Sequence, residues 1–591
     1  MGQFFKMLFA SFLGVCIAIC LFILIGFVVL AGIIASMDSS SAAYVPNGND
    51  KVLELSLDGS LNDVANESPF ANIFSSDKAL SLKDLQTAID VAKENKNIKG
   101  IYIDASGLSA GVANIDALRR SLSDFKESGK FIVAYGDSYT QGCYYLSSVA
   151  DKIFVNPQGA INLHGLSSDV TFYKGILKKA GIEMLVFKVG TFKGAVEPFM
   201  LDKLSDANRE QITSYQQSIW TNMVNNIASA RNLTPDDVNG FIDNGMMLAA
   251  AEKAVELGFV DGVKYRHEAE DYVKELAGID ADKKLKTVGP DKLKRAKKTP
   301  AKSKADRIAV VYAEGDIVDS QTASMYGSGN FITENLAEKL ADLKKDKKVK
   351  AVVLRVNSPG GSGFVSEQIW KQVKDLRNEK KIVVSMGNYA ASGGYYISCA
   401  ADKIISEANT LTGSIGVFSL YPDISGLWNK LDLTSDVVKT NKYSDMGDMS
   451  RPMRDDEKAL IQSAVERFYD TFLTRCSDGR GMSKEDIDTI AQGRVWTGEQ
   501  ALSIGLVDEI GDLKRAIEVA AELAGLTDYS VKSVAGSDDP ISDYIKKQLG
   551  DVKSSVIEDA LGEDTEIFNT IRMLKHTRGI QARMPYHLDN I

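Results

Sequence analysis

Two halves of this chain repeat each other at a fixed distance along the sequence. Ala150-Asp-Lys-Ile153 recurs as Ala401-Asp-Lys-Ile404, and Tyr144-Tyr145 recurs as Tyr395-Tyr396, each pair 251 positions apart (from 150 to 401 for the first). A constant spacing across different residue types predicts a duplicated domain of about 200 residues rather than a short-period repeat.

Strands and helices are predicted to alternate within each repeat. In the second repeat an apolar run, Lys350–Val356, precedes an amphipathic stretch, Phe364–Arg377, and another apolar run, Lys381–Met386. Such alternation is typical of βαβ units around a mainly parallel sheet. We therefore predict an α/β fold of two tandem domains, with functional groups at the carboxyl ends of the strands.

A long uncharged segment lies near the N-terminus. No residue from Met7 to Met37 is charged, and about 20 apolar residues suffice to cross a bilayer. Lys6 precedes this run and Asp38 follows it, so the positive-inside rule places the N-terminus in the cytoplasm and the bulk of the chain outside. A cleaved secretory signal is the alternative, although its apolar region usually has only ~7–15 residues.

Composition marks the other boundaries and excludes some partners. We expect a cytoplasmic N-terminus and transmembrane anchor at 1–37, a tether at 38–50, a first domain at 51–282, an exposed basic linker at 283–307, a second domain at 308–537 and a tail of open role at 538–591. The formal net charge of −10 argues against nucleic acid as a partner. The five cysteines and four histidines form no disulfide or metal pattern, so no cofactor and no metal are predicted.

Ser392 is the first candidate for a catalytic residue. It follows the apolar run Lys381–Met386 and precedes Gly393 and Gly394, which predicts a strand-to-helix turn. Free backbone amides at such a turn favour negative charge, and a nucleophilic serine creates an oxyanion when it attacks a carbonyl. The counterpart in the first repeat is Gln141, which is no nucleophile. A glycine-rich turn with an incidental serine is the alternative interpretation.

A nucleophilic serine needs a base, and no histidine lies near a predicted strand end beside Ser392. A lysine can replace histidine when burial lowers its pKa. Lys193 has apolar neighbours and is matched by Ser444 in the second repeat, whereas Lys188 is matched by Lys439 and is interpreted as scaffold. A surface lysine is the alternative for Lys193. Because the two candidates lie in different repeats, the site must form where the domains meet.

Four motifs carry a family resemblance. They are Asn357-Ser-Pro-Gly-Gly-Ser362, Tyr389-Ala-Ala-Ser-Gly-Gly-Tyr-Tyr396, Thr412-Gly-Ser-Ile-Gly-Val417 and Gly190-Thr-Phe-Lys-Gly-Ala-Val-Glu-Pro198. Together they resemble the signal peptide peptidase A family in its long, two-domain bacterial form. The resemblance covers nearly the whole chain and implies the Clp protease/crotonase superfamily fold in both domains.

The resemblance also implies roles and partners. Ser392 is expected to be the nucleophile, Lys193 the general base, Ser414 the serine that orients the lysine, and Gly361 and Gly393 the sources of the oxyanion-hole amides. The implied substrates are signal peptides released from preproteins. The implied setting is the bacterial inner membrane, with the catalytic domains on the periplasmic side and the chain in a homo-oligomer, a tetramer in the long form.

Two other classes of function remain open from the sequence. A crotonase-like acyl-CoA enzyme would use paired amides as an oxyanion hole without a serine nucleophile. A membrane scaffold on a peptidase fold would not be catalytic at all. The anchor and the asymmetry of Ser392 and Lys193 between the repeats count against the first class, and the presence of both Ser392 and Lys193 counts against the second.

Overall fold

The computed structural model describes residues 14, 21, 51–64, 79–294, 306–326, 330–534 and 579–584. Its strands are β1 (Val52–Asn62), β2 (Ala79–Ser81), β3 (Gly100–Ser109), β4 (Phe131–Gly136), β5 (Tyr139–Thr140), β6 (Lys152–Val155), β7 (Ile161–Asn162), β8 (Glu183–Val189), β9 (Gly262–Val263), β10 (Thr287–Val288), β11 (Asp306–Glu314), β12 (Asp316–Ile317), β13 (Phe331–Ile332), β14 (Val349–Ser358), β15 (Gly360–Ser362), β16 (Lys381–Ala391), β17 (Lys403–Ser406), β18 (Leu411–Gly413), β19 (Val417–Asp423), β20 (Val495–Thr497), β21 (Glu509–Ile510), β22 (Tyr529–Val534) and β23 (Gln581–Arg583).

Both repeats contain helices as well as strands. Those of the first repeat are Leu82–Glu94, Val112–Lys126, Gln141–Ser147, Lys174–Ala180, Glu197–Met200, Asp206–Arg231, Pro235–Asp243, Ala251–Glu256, Arg266–Ala277 and Pro290–Leu293, with 3₁₀ turns at Gly194–Val196 and Met246–Leu248. Those of the second are Ser320–Tyr326, Asn335–Lys345, Gly363–Arg377, Gly393–Ser398, Ser425–Lys430, Asp455–Arg480, Lys484–Ile490, Gly498–Ser503 and Leu513–Ala524.

Each repeat is built on its own mainly parallel sheet. The first sheet has the order β10-β1-β3-β4-β6-β9, with β2 beside β1, and these pairs are parallel. The second has the order β20-β18-β16-β14-β11-β22, with β17 beside β16 and β21 beside β17. In its described strands only the β18–β20 pair is antiparallel. The predicted α/β fold with mainly parallel sheets is confirmed.

The duplication is visible in the elements themselves. β6 and β17 occupy equivalent positions in the two sheets: β6 is parallel to β4, and β17 is parallel to β16. The helices Asp206–Arg231 and Asp455–Arg480 have 26 residues each. Strands such as β4 are buried at nearly every position, which is typical of parallel sheets whose two faces are both covered.

A third sheet joins the two repeats and positions the candidate site. Its order is β13-β12-β15-β23-β19-β8. β8 comes from the first repeat and pairs antiparallel along its whole length with β19 of the second, from Val189 opposite Val417 to Glu183 opposite Asp423. Because Val189 pairs with Val417, the residues that follow β8 lie against the second repeat, next to the loop between β18 and β19.

Lys188 and its counterpart Lys439 lie in different local structures. Lys188 lies in β8, whereas Lys439 lies in an irregular surface segment and donates to Asp445 at 3.1 Å. The two repeats have diverged here because only β8 has a partner strand, β19. Equal spacing along the sequence therefore does not show that Lys188 is scaffold.

The segment interpreted as an exposed basic linker is partly built into the first sheet. β10 pairs with β1, and the side chains of Val288 and Leu293 are buried. The apolar residues of this segment extend the edge of the first sheet and pack against its core, and they are buried for this reason. Residues 295–305 of the same segment lie outside the described part of the chain.

The predicted membrane anchor, Met7–Met37, lies outside the described residues apart from positions 14 and 21, as does the tether at 38–50. Within the described ranges, no helix combines the length and the apolar character needed to cross a bilayer.

A buried ion pair ties the first repeat to the second. The Arg355 guanidinium donates to both carboxylate oxygens of Asp63, at 2.8 and 3.1 Å, and also to the Ser385 hydroxyl and the Met386 carbonyl. The side chains of Arg355 and Asp63 are 2% and 3% exposed. Because a buried charge is stable only when it is paired, this contact depends on both partners.

We expect Asp63→Ala to lower the free energy of unfolding by about 3–5 kcal/mol, because it leaves the Arg355 charge buried without a counter-ion. Urea titration monitored by tryptophan fluorescence measures the change. The matched control is Asp342→Ala, which removes an exposed partner of Lys345 and should cost less than about 1 kcal/mol. Equal effects of the two substitutions would contradict the importance assigned to the buried pair.

Candidate active site

Ser392 stands between β16 and the helix Gly393–Ser398, at the strand-to-helix turn that the sequence predicts. Its amide donates to the Gly413 carbonyl at 2.8 Å, and its carbonyl accepts from Tyr396 N at 2.8 Å. The backbone has φ 54° and ψ −109°, a region that costs a residue with a side chain about 1–3 kcal/mol. The surrounding hydrogen bonds hold this strained conformation, in which the side chain is completely buried.

Lys193 reaches Ser392 from the first repeat. The chain leaves β8 and is fixed to the second repeat by a hydrogen bond from Phe192 N to the Gln492 carbonyl at 2.8 Å. Lys193 has no exposed surface, and its Nζ lies 2.8 Å from Ser392 Oγ. The structure therefore brings the two candidates into hydrogen-bond contact within one chain.

Burial lowers the pKa of Lys193 well below its usual 10.5, and desolvation is the cause. Among the described residues, no carboxylate forms an ion pair with its ammonium group. The nearby Glu197 accepts instead from the Ser205 amide, the Ser205 hydroxyl and the Asn208 side chain. Glu197 is therefore hydrogen-bonded to Ser205 and Asn208 rather than paired with Lys193. A lysine in this setting favours the neutral amine.

Ser414 supplies the remaining contacts of the lysine. Its hydroxyl and its carbonyl oxygen accept from Lys193 Nζ, at 3.0 and 3.1 Å. Ser414 has φ 48° and is anchored through a bond from its amide to the Arg494 carbonyl at 2.7 Å. Because these acceptors are neutral, they orient the amine without raising its pKa as a carboxylate would.

The two candidate oxyanion-hole glycines come from different elements. Gly393 directly follows Ser392, and Gly361 lies in β15 with φ 151°. A Cβ on Gly361 would approach the Ile317 carbonyl oxygen to 2.0 Å, so only glycine fits there. A Cβ on Gly360 would lie 2.7 Å from Gly393 N, which shows how closely β15 approaches the amide after Ser392.

The equivalent position in the first repeat has a different role. Gln141 accepts from the amides of His164 and Gly165, at 3.0 and 2.9 Å, and its own amide donates to the Gly165 carbonyl. In the second repeat Gly416 is the counterpart of Gly165, and its carbonyl lies 3.4 Å from Ser392 Oγ. The Gln141 side chain therefore fixes a loop in the first repeat, whereas the second repeat has at this position a hydroxyl that accepts a hydrogen bond from an amine.

Two parts of the site were not predicted from the sequence. Gly493 packs so tightly on the lysine that a Cβ there would lie 2.7 Å from Lys193 N. β23, from the C-terminal tail, lies between β15 and β19. Gly493 is a turn signal in the sequence for the first of these, and the structure has positive φ at both Gln492 and Gly493, but nothing in the sequence paired the tail with β15.

Comparison with known proteins supports the duplication and the catalytic class. The model for "Peptidase family S49" matches residues 124–280 and 374–527, one segment in each repeat, and the model for "Clp protease" matches residues 317–411. The chain is 35% identical to Protease 4 of Salmonella typhi over 458 residues, covering 76% of this chain and 73% of that protein.

Two further relatives extend over most of the chain. Protease 4 of Haemophilus influenzae is 33% identical over 568 residues, 91% of this chain and 90% of that protein. The chloroplastic serine protease SPPA of Arabidopsis thaliana is 31% identical over 536 residues, 90% of this chain and 77% of that protein. With both repeats matched and these lengths covered, the chain belongs to peptidase family S49 and is a serine protease.

Proposed function

We propose that this protein is a membrane-anchored endopeptidase in which Ser392 is the nucleophile and Lys193 the general base. The observation that carries the proposal is the 2.8 Å contact between Lys193 Nζ and Ser392 Oγ in a fully buried setting. A neutral amine at this distance is within reach of the hydroxyl proton, which a general base must accept.

The acylation step follows from this arrangement. Neutral Lys193 accepts the proton of the Ser392 hydroxyl while Oγ attacks the carbonyl carbon of the substrate. The resulting oxyanion accepts from the amides of Gly361 and Gly393, which stabilise it because they are already oriented. As the tetrahedral intermediate collapses, the lysine ammonium gives its proton to the leaving amine, and the acyl group remains on Ser392.

Deacylation repeats the same proton transfers with water. Lys193 is neutral again after the first step and accepts a proton from the attacking water. The acyl–Oγ bond then breaks, the peptide leaves with a new carboxylate, and the proton returns to Ser392. Ser414 acts as a positioning residue through its two contacts with Lys193 Nζ, and a metal or cofactor has no part in this scheme.

The proposed substrates are signal peptides after their release from preproteins. We place the enzyme in the bacterial inner membrane, anchored by Met7–Met37, with the catalytic domains on the periplasmic side and a homotetramer as the assembly. The support is the uncharged N-terminal run with Lys6 before it, together with the family resemblance. An enzyme in that place meets apolar segments that carry small residues near their ends.

We expect peptides with leucine or alanine before the scissile bond to be cut faster than peptides with aspartate or lysine there. The physical reason is that Ser392 is buried, so the neighbouring substrate side chain must leave water, which penalises a charge. Mass spectrometry of a synthetic signal peptide and its aspartate and lysine variants measures the ratio of kcat/KM values. Faster cleavage of the charged peptides would contradict the proposed substrate class.

A fluorophosphonate probe tests the nucleophile directly. Such probes form a covalent bond to an activated serine, so peptide mapping of the labelled protein should identify Ser392. Labelling at another serine would overturn the assignment. Coenzyme A thioesters in the same assay provide the comparison with an acyl-CoA enzyme, for which binding without probe labelling would be expected.

A further inference from the structure

Six described residues near the C-terminus lie beside the site, between two strands. Gly579–Met584 lies between β15 and β19, with β23 antiparallel to both. Met584 N donates to the Pro359 carbonyl at 2.8 Å, Gly363 N donates to the Ile580 carbonyl at 3.0 Å, and the Ser419 hydroxyl donates to the Gly579 carbonyl at 2.9 Å. The segment is therefore held by β15 along its length and by β19 at Gly579 and Gln581.

The register places one carbonyl of this segment at the proposed oxyanion hole. Gly361 is opposite Ala582, midway between the bonded pairs Pro359–Met584 and Gly363–Ile580. Hydrogen-bonded pairs in an antiparallel ladder recur at every second residue, so the ladder aims the Gly361 amide at the Ala582 carbonyl.

The second proposed amide approaches the same oxygen. A Cβ on Gly393 would lie 3.1 Å from the Ala582 carbonyl oxygen, and a Cβ on Gly360 would lie 2.1 Å from it and 2.7 Å from Gly393 N. The Ala582 carbonyl thus lies between Gly361 and Gly393, where the scissile carbonyl of a substrate is expected.

The segment is buried together with the site. Ala582, Ser392 and Lys193 each have no exposed surface. Arg583 donates to Asp316 at 2.6 Å, and the side chain of Met584 is buried in the apolar core of the first repeat. The segment and the two candidate catalytic residues are therefore buried together.

We propose that Gly579–Met584 is a built-in substrate mimic that occupies the peptide-binding groove, with Ala582 at the position before the scissile bond. An external peptide must displace it. The segment is held largely by backbone hydrogen bonds to β15 and β19, and any extended peptide can form the same bonds. This inference rests on the proposed function and adds to it the direction, register and first occupant of the groove.

If this segment occupies the groove, external substrates should bind with a lower apparent affinity. When only a fraction of the molecules has an open groove, the apparent affinity for a substrate falls by that fraction. Loosening the segment should therefore lower KM and leave kcat unchanged, and locking it should abolish turnover. A purely structural role for β23 predicts the opposite sign for loosening, because the third sheet would lose a central strand.

A reversible disulfide in the full-length chain tests the locked state. Ser362 and Gln581 are directly opposite each other and form a non-bonded pair of the ladder, for which the Cα separation is about 4.5 Å. That separation falls within the disulfide range of about 4.4–6.8 Å. Of the five native cysteines, Cys143, Cys399 and Cys476 are buried, and Cys16 and Cys20 lie outside the described residues. The variant carries Ser362→Cys and Gln581→Cys, and intact mass with thiol counting gives the cross-linked fraction.

We expect the oxidised double variant to cleave a quenched fluorescent signal peptide at below about 1% of its reduced rate, because the open fraction becomes negligible. Dithiothreitol should restore the rate, and neither single-cysteine variant should respond to reductant. Equal rates for the cross-linked and reduced protein would overturn the inference. If the wild-type protein and its Ser392→Ala variant cleave this peptide equally slowly, the proposed function has failed instead.

Ala582→Asp tests the loosened state. A carboxylate at this buried position is penalised by desolvation, so the variant should release the segment. The expected result is a several-fold lower KM for the same peptide with kcat unchanged and with faster fluorophosphonate labelling. A folded Ala582→Asp protein with wild-type or higher KM would overturn the inference.

Discussion

Ser392→Ala is expected to lower kcat/KM for peptide hydrolysis by on the order of 10⁴- to 10⁶-fold, the loss found when a serine nucleophile is removed. The substitution deletes one buried oxygen and leaves the backbone bonds of Ser392 to Gly413 and Tyr396 in place. The fold and the urea midpoint should therefore change little. Hydrolysis of a quenched fluorescent peptide, followed over hours with concentrated enzyme, measures the residual rate.

Ser398→Ala is the matched control for this experiment. Ser398 is a buried serine of the same short helix, and its hydroxyl donates to the Gly394 carbonyl rather than to a group of the site. We expect this variant to keep the wild-type rate. Substantial activity in a Ser392→Ala preparation, or an equal loss in Ser398→Ala, would show that the hydroxyl of Ser392 is not the attacking group.

The position of Ser392 could be predicted because it depends on local sequence. The apolar run before it specifies a buried strand, and the glycines after it permit the tight turn into a helix. Its comparison with Gln141 worked because that part of both repeats has kept the same structure. The backbone strain at Ser392 had no such signal, since positive φ at a residue with a side chain is imposed by the surrounding structure.

The path that brings Lys193 to Ser392 could not be predicted in the same way. It depends on the pairing of β8 with β19, between strands far apart in the chain, and no local pattern specifies which strands pair. The spacing of the repeats was misleading here, because the counterpart of β8 around Lys439 is irregular. The place of Gly579–Met584 was hidden for the same reason: its few residues are ordered by long-range pairing with β15 and β19.

Replacing Lys193 is expected to have the second large effect. Lys193→Met keeps the apolar stem and removes the amine, and Lys193→Arg substitutes a guanidinium that stays protonated. Both variants should lower kcat/KM by on the order of 10²- to 10⁴-fold, the usual contribution of a general base. Lys188→Arg, on β8 and with its Cα opposite Phe418, is the control and should retain most activity. If Lys193→Arg keeps wild-type turnover, or Lys188→Arg proves to be the damaging change, the base has been misassigned.

The pH dependence follows from the lowered pKa of Lys193. The neutral amine is the reactive form, so kcat/KM should rise with pH through a single ionisation well below 10.5, and Lys193→Met should lose that dependence. Between the folded pKa and 10.5 the unfolded chain binds a proton that the folded chain does not, so the contribution of Lys193 to stability rises with pH across this window. Lys193→Met should therefore be more stable than the wild type at neutral pH, with an advantage that shrinks as the pH approaches 10.5. A stability difference that grows with pH would mean that Lys193 is charged in the folded protein, and a charged lysine cannot accept the proton of Ser392.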